Sequence, residues 1–261
     1  NYYHESMGYI PQNVEKIDRD LDYIQEKFSS IKIYHNPYKP QDIQHTALIA
    51  NIARNQGLYV IWNENNDTQQ FTESNWQDYV NKVKEDCKIA NKLNVNEFLV
   101  GNEISIHNDG SIGFNDTNLP IKIKSLVQDC QNLSNMEVSY QDGWWKKDAW
   151  NNAGMGNLNR IYFTLYENDT NFDNHATDIW NKFGTKAIIG EWSTQSTMDS
   201  ISGINEIDWA NKITVRRDIL NSKGFIHFYF NFRDTGVDNN QRGFGLWKNN
   251  IEQPHLIWNL L

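Results

Sequence analysis

Short apolar runs alternate along this chain with longer stretches in which apolar residues recur every three or four positions. The short runs predict strands over 3–9, 30–34, 58–63, 97–104, 137–141, 160–166, 186–192 and 225–232, all rich in β-branched and aromatic residues. The longer stretches carry the helical period. Val14, Ile17, Leu21, Ile24 and Phe28 form one such face; Ile43, Ala47, Ala50 and Ala53 form the next. Trp76, Tyr79, Val83 and Cys87, then Leu119, Ile123, Leu126, Val127 and Cys130, continue the series, and Trp209, Ile213, Arg216 and Leu220 close it. Gly57, Gly184 and Gly224 stand where left-handed helix caps belong. The stretch 144–156 has Gly and Asn where a long helix should be, which predicts a loop with a short helical turn.

A strand followed by a helix, repeated about eight times, predicts parallel strands joined by right-handed crossovers. Eight such units close a (β/α)8 TIM barrel, a single α/β domain of about 250 residues, and this chain has 261. No break in composition and no short repeat divides residues 1–261. The first strand leads into Met7-Gly8-Tyr9-Ile10-Pro11, which lacks the glycine pattern of a dinucleotide fold.

Composition narrows the function. The net charge is −9 and Lys and Arg are dispersed, which excludes nucleic acid as an expected partner. No apolar run nears the roughly 20 residues of a membrane span, so no membrane partner is expected. The opening Asn1-Tyr2-Tyr3-His4-Glu5 reads as the start of a strand rather than a leader, and a secreted or cell-surface location is expected with any signal peptide absent. Ten Trp exceed what a core of this size asks for, and flat aromatic faces suit the apolar faces of sugars. Cys87 and Cys130 fit either a disulfide between consecutive helices or two buried thiols. Four glycosylation sequons begin at Asn66, Asn115, Asn132 and Asn168. The seven His, His35 and His107 near strand ends included, show no metal-ligand spacing, so neither metal nor cofactor is expected.

Two strings carry the candidate chemistry. Leu99-Val100-Gly101-Asn102-Glu103 and Ile188-Ile189-Gly190-Glu191-Trp192 are apolar runs that stop at a carboxylate. Either alone reads as a buried strand with a Glu after it. Together, at the ends of the fourth and seventh expected strands, they supply the two carboxyls that glycosidic cleavage needs at the carboxyl rim of a barrel. Glu5, Glu64, Asp142, Glu167 and Asp234 also lie near strand ends and read as structural groups or hydroxyl acceptors, with Glu64 the strongest competitor to Glu103. Trp62, Trp144, Trp145, Trp192 and Trp247 lie at strand ends, where sugar platforms sit, and Asn63 is expected beside substrate.

Asn102-Glu103 at the end of strand four with Glu191 at the end of strand seven resembles the clan A glycoside hydrolases, which are retaining enzymes on this barrel. Within the clan, Val100-Gly101-Asn102-Glu103-Ile104-Ser105, Ile31-Lys32-Ile33-Tyr34 and Gly243-Phe244-Gly245-Leu246-Trp247 are similar to strings of the family 17 β-1,3-glucanases. Glu191-Trp192-Ser193-Thr194 departs from that family and is closer to family 5. The resemblance implies Glu103 as general acid/base, Glu191 as nucleophile, Asn102 as a partner of the sugar 2-hydroxyl, Tyr166 beside the nucleophile, and Tyr34 in the site against substrate. The expected activity is hydrolysis of β-glucan with retention, β-1,3 linkages favoured, by a monomer acting on a β-linked oligo- or polysaccharide. Clan A activity on β-1,4-glucan or β-mannan, and transglycosylation, are the alternatives. A sugar-binding protein without activity would have lost one of the two Glu, and both are present.

Overall fold

The computed structural model describes residues 14–39, 42–65, 71–107, 118–192 and 206–229, with the backbones of Trp247–Lys248 and Gln253–Pro254. The helices among them are α1 (Val14–Lys27), α2 (Ile43–Asn55), α3 (Glu73–Lys92), α4 (Leu119–Leu133), α5 (Lys147–Asn152), α6 (Asp169–Phe183) and α7 (Glu206–Lys223). The strands are β1 (Ser30–His35), β2 (Tyr59–Glu64), β3 (Glu97–Asn102), β4 (Glu137–Gly143), β5 (Ile161–Leu165), β6 (Ala187–Trp192) and β7 (Ile226–Tyr229), followed by an antiparallel pair, β8 (Trp247–Lys248) and β9 (Gln253–Pro254). The principal sheet holds β1 to β7 in chain order. Pairing is parallel between β1 and β2, β2 and β3, β3 and β4, and β6 and β7. Strands in chain order, with helices between them, are the arrangement of a (β/α)8 barrel. The strand expected over 3–9 lies outside the described residues.

The chain divides into two compact units, Pro11–Tyr162 on one side and Asn1–Ile10 with Phe163–Leu261 on the other. In the first, α3 shows why its sequence folds there. The Thr72 backbone N–H donates to Asn75 Oδ1 at 2.7 Å and caps the helix start. Trp76, Tyr79, Val83 and Cys87 then fall on the buried face, and Tyr79 Oη donates to the Val100 carbonyl at 2.7 Å, tying helix to strand. At the amino ends of the strands, Arg160 Nη1 donates to Tyr59 Oη at 2.9 Å and to Glu97 Oε2 at 2.7 Å. Burial pushes the Glu97 carboxyl up, against the opposing pull of its bonds to Tyr162 and Arg160. Such a network at the amino face of a barrel belongs to stability rather than chemistry.

In the second unit, Asn168 caps α6 by accepting from the Asn171 N–H at 3.0 Å. The Arg216 guanidinium stacks over Phe172 at 4.8 Å and donates to the Glu167 carbonyl at 2.6 Å. That contact explains a buried Arg on the apolar face of α7.

Gly57, Gly184 and Gly224 all take positive φ. The weak stretch is a one-turn segment, the six-residue α5 and a second turn, as its Gly and Asn predicted. Cys87 and Cys130 are both buried free thiols, and Cys87 Sγ points at the Cys130 carbonyl oxygen at 3.7 Å. The run expected to reach position 104 stops at Asn102: Glu103 turns to φ +50° and Ile104–His107 form a single 3-10 turn. No helix among the described residues is long and apolar enough to cross a membrane.

Candidate active site

Both glutamate-bearing strands slip register just before the end. On β3, Leu99 pairs with Ser139 and Asn102 with Gln141, so three steps on β3 span two on β4. On β6, Ile189 pairs with His227 and Trp192 with Tyr229, the same three against two. One extra residue is a β-bulge, a device that re-aims side chains at strand ends. Each bulge contains the glycine of its string, Gly101 or Gly190.

The β3 bulge needs glycine for space. A Cβ on Gly101 would lie 2.5 Å from Ile104 Cδ1, 3.0 Å from Tyr79 Oη and 3.1 Å from Tyr140 Cε2. After it, Glu103 is half-buried in the left-handed region, and its N–H donates to the Gln141 carbonyl at 3.0 Å. The next two residues are held by the end of β4. The Ile104 N–H donates to Tyr140 Oη at 3.1 Å, and Ser105 Oγ donates to Asp142 Oδ1 at 2.6 Å. Asp142 also accepts from Tyr140 Oη at 2.8 Å and from the Gly143 N–H at 2.7 Å. Burial raises its carboxyl to about 6, with the three hydrogen bonds opposing the rise.

On the second unit, Glu191 is 5% exposed, and its Oε2 accepts from the half-buried Tyr166 Oη at 3.1 Å. Tyr166 follows β5 directly, so the ends of β5 and β6 deliver the pair. Trp192 turns the other way: its Nε1 donates to His227 Nδ1 at 3.1 Å, and its ring sits edge-on to Phe172, His227 and Tyr229. Because His227 Nδ1 accepts, its proton is on Nε2, which faces Asn221 Oδ1 at 3.0 Å. Burial, aided by Arg217, lowers the His227 imidazole to about 4.

Tyr34, Asn63 and Asn102 lie at strand ends of the first unit, and Tyr34 is in register with Asn63. Asn63 is fully buried with neither amide atom hydrogen-bonded, and the buried Asn102 Oδ1 is likewise without a partner. Amides left so at strand ends have capacity for a ligand's hydroxyls. Lys32, buried between Ile31 and Ile33 on β1, donates to Gln141 Oε1 at 2.5 Å and lies 4.8 Å from the Tyr34 ring centre. It went unselected at the sequence level, although its alternation with Tyr34 puts both on one face of β1.

The aromatic platforms sort by exposure. Trp62 is 0% exposed and Trp192 1%. A sugar can stack only on an open ring face, so the platform reading moves from these two to the β4 end. Trp144 is half-buried with Lys147 Nζ 5.1 Å from its ring centre, and Trp145 is 44% exposed. The Trp247 side chain lies outside the described residues, as do Glu5 and Asp234.

Trp62 and Glu64 share the face of β2 turned to α3. Trp62 Nε1 donates to Glu64 Oε1 at 2.7 Å. His35, Glu64 and Asp86 bring ligand atoms within 4.8 Å of one another, a grouping that linear spacing hid because the three come from β1, β2 and α3. One imidazole and two carboxylates could hold a divalent metal. A proton balances them as well: His35 Nε2 faces Asp86 Oδ2 at 3.4 Å, and burial, with the Asp86 charge, keeps the Glu64 carboxyl well above the usual range. Glu64 is thus fully buried on the face of β2 turned to α3.

No family model matches the chain, and no curated protein matches it. Solved structures do. A glycoside hydrolase family 113 β-1,4-mannanase is 14% identical with a TM-score of 0.71, over 99% of this chain and 95% of that one. The family 5 lichenase of Caldicellulosiruptor sp. F32, in complex with cellotetraose, is 12% identical with a TM-score of 0.71, over 93% and 82%. The endoglucanase catalytic domain of Thermobifida fusca, also in complex with cellotetraose, is 12% identical with a TM-score of 0.63, over 94% and 78%. At these identities the likeness is one of fold, to families 113 and 5. Similarity to family 17 rests on the short sequence strings alone.

Proposed function

We propose that this chain is a retaining β-glycosidase acting on a β-linked glucan or mannan, with Glu191 as nucleophile and Glu103 as general acid/base. The observation that carries the reading is the matched pair of bulges, each aiming a glutamate at the carboxyl end of a strand in this fold. Carboxyl ends of barrel strands are where this fold does chemistry. Tyr166 on Glu191 and the unpaired amide oxygen of Asn102 beside Glu103 fit the two roles.

The steps follow. Glu191 Oε attacks the anomeric carbon as the glycosidic C–O bond breaks, and Glu103 gives its proton to the departing oxygen. Glu103, now a carboxylate, takes a proton from water, whose oxygen attacks the anomeric carbon and releases Glu191. Asn102 Oδ1 accepts from the sugar 2-hydroxyl, a bond that strengthens as positive charge grows on the ring.

The proteins of similar fold are named as a β-1,4-mannanase, an endoglucanase and a lichenase. That supports a β-1,4-linked backbone as the first substrate to test. A β-1,3-glucan is the second reading, favoured by the strings around Tyr34, Glu103 and Trp247. The test is incubation with mannan, lichenan, carboxymethylcellulose and laminarin, with product sizing and NMR of the first-formed anomer. Release of β-anomers supports retention, and elongated products at high substrate mark transglycosylation. E191Q abolishes turnover of every substrate, whereas E103Q spares those with good leaving groups. An E191Q variant that keeps most of its activity overturns the assignment.

A further inference from the structure

We infer that Tyr140, Asp142 and Ser105 are positioning residues for Glu103, a clamp at the end of β4 that fixes the direction in which the acid presents its proton. The inference rests on the functional reading above and adds to it the groups that control the acid.

Glu103 has φ +50°, a left-handed conformation unfavourable for a residue with a Cβ, which persists only where the surroundings impose it. Three consecutive residues are imposed on from one strand end. The Glu103 N–H goes to the Gln141 carbonyl, the Ile104 N–H to Tyr140 Oη, and the Ser105 hydroxyl to Asp142 Oδ1. Tyr140 has one proton and gives it to Asp142 Oδ2, so its lone pair is what receives Ile104. Donation therefore runs one way, from backbone N–H through phenol to carboxylate, and each bond polarises the next. Tyr140, Asp142 and Ser105 are all buried. A general acid misplaced by about 1 Å loses roughly 100-fold in rate, so a clamp of this kind acts on the acid step.

The experiment separates that role from a merely structural one by leaving-group dependence. The protein and its S105A, Y140F and E103Q variants are assayed on phenyl and 2,4-dinitrophenyl β-glycosides of cellobiose, mannobiose and laminaribiose. Phenol departs only with a proton from the acid, whereas dinitrophenolate departs without one. The expected result is a kcat/KM loss of about 10–100-fold on the phenyl substrate for S105A and Y140F, and of no more than about 3-fold on the dinitrophenyl one, because kcat/KM reports the acid step alone. E103Q shows the same discrimination in larger measure. Equal losses on both substrates, or none on either, overturn the clamp while E103Q still discriminates. If E103Q does not discriminate, or the protein cleaves none of these glycosides, the functional reading falls and the clamp with it. S105A removes a single hydroxyl, so its result stands even if Y140F fails to fold.

Discussion

Tyr166 Oη and Glu191 Oε2 meet at 3.1 Å, a phenol donating to a buried carboxylate across the ends of β5 and β6. A carboxylate at 5% exposure has little water to orient it. The phenol therefore fixes the orientation of the carboxylate and which of its lone pairs stays open.

Replacing Tyr166 with Phe keeps the ring and removes the donor. Hydrogen bonds to charged groups contribute about 1.5–3 kcal/mol, so kcat/KM is expected to fall roughly 10–100-fold. Tm should change little, because Tyr166 is only half-buried. Steady-state kinetics beside a thermal melt checks both. A variant of unchanged rate would show that Tyr166 does nothing for Glu191.

Gly101→Ala tests whether the β3 bulge places the acid. The new methyl would press on Ile104, Tyr79 and Tyr140, two of which touch the segment that follows Glu103. Ile104 Cδ1 can swing aside, but the two ring contacts sit in a packed interior. Overpacking of this kind costs about 1–3 kcal/mol. The expected variant folds with a lowered Tm and loses more activity on substrates with poor leaving groups than on activated ones. Equal activity with equal Tm would mean the bulge has room to spare.

Much of this was legible in the residues. Short apolar runs mark the strands because β1 to β6 are buried along almost their whole length, and Gly-Asn-Glu and Gly-Glu mark the ends of two of them because an apolar run that stops at a carboxylate has reached a rim. The roles of Trp62 and Trp192 were not legible. Strand-end position does not say which face a ring takes, and period-2 alternation turns Trp62 away from the face of β2 that carries Asn63, and Trp192 away from the face of β6 that carries Glu191. The His35–Glu64–Asp86 grouping was hidden for a different reason. It joins two strands and a helix far apart in sequence: the register of β1 on β2 pairs His35 with Glu64, and the buried face of α3 brings Asp86 to them.

Asp142 makes stability depend on pH in a direction opposite to most carboxylates. Its folded value of about 6 lies above the unfolded one, so the folded state binds the proton more tightly. This contribution is fully present below about pH 4 and is lost as pH rises through 6. Asp142→Asn cannot titrate. The stability difference between variant and parent should therefore shift in the variant's favour by about 3 kcal/mol between pH 3.5 and 7.5, whatever fixed cost the lost Tyr140 acceptor adds. Urea titrations at both pH values measure that shift, and a difference independent of pH would place the titration elsewhere.

Glu64 poses the same question with a second answer built in. If a proton neutralises the His35–Glu64–Asp86 group, Glu64→Gln reproduces the neutral carboxyl, whose raised value stabilises the fold at low pH and costs it as pH rises. The variant then matches its parent within about 1 kcal/mol in mild acid and surpasses it at higher pH, and neither zinc nor a chelator moves the melt. If a divalent ion is what balances the two carboxylates, Glu64→Gln removes a ligand. Zinc or manganese would then raise the parent's Tm in a concentration-dependent way, and the variant would lose that response. The buried Glu64 Oε2, unbonded within the protein, is compatible with either occupant. What separates them is entry. A proton reaches a site closed by Trp62 on one side and α3 on the other far more readily than a hydrated ion, so the proton is the expected outcome and an unchanged melt with zinc the expected reading.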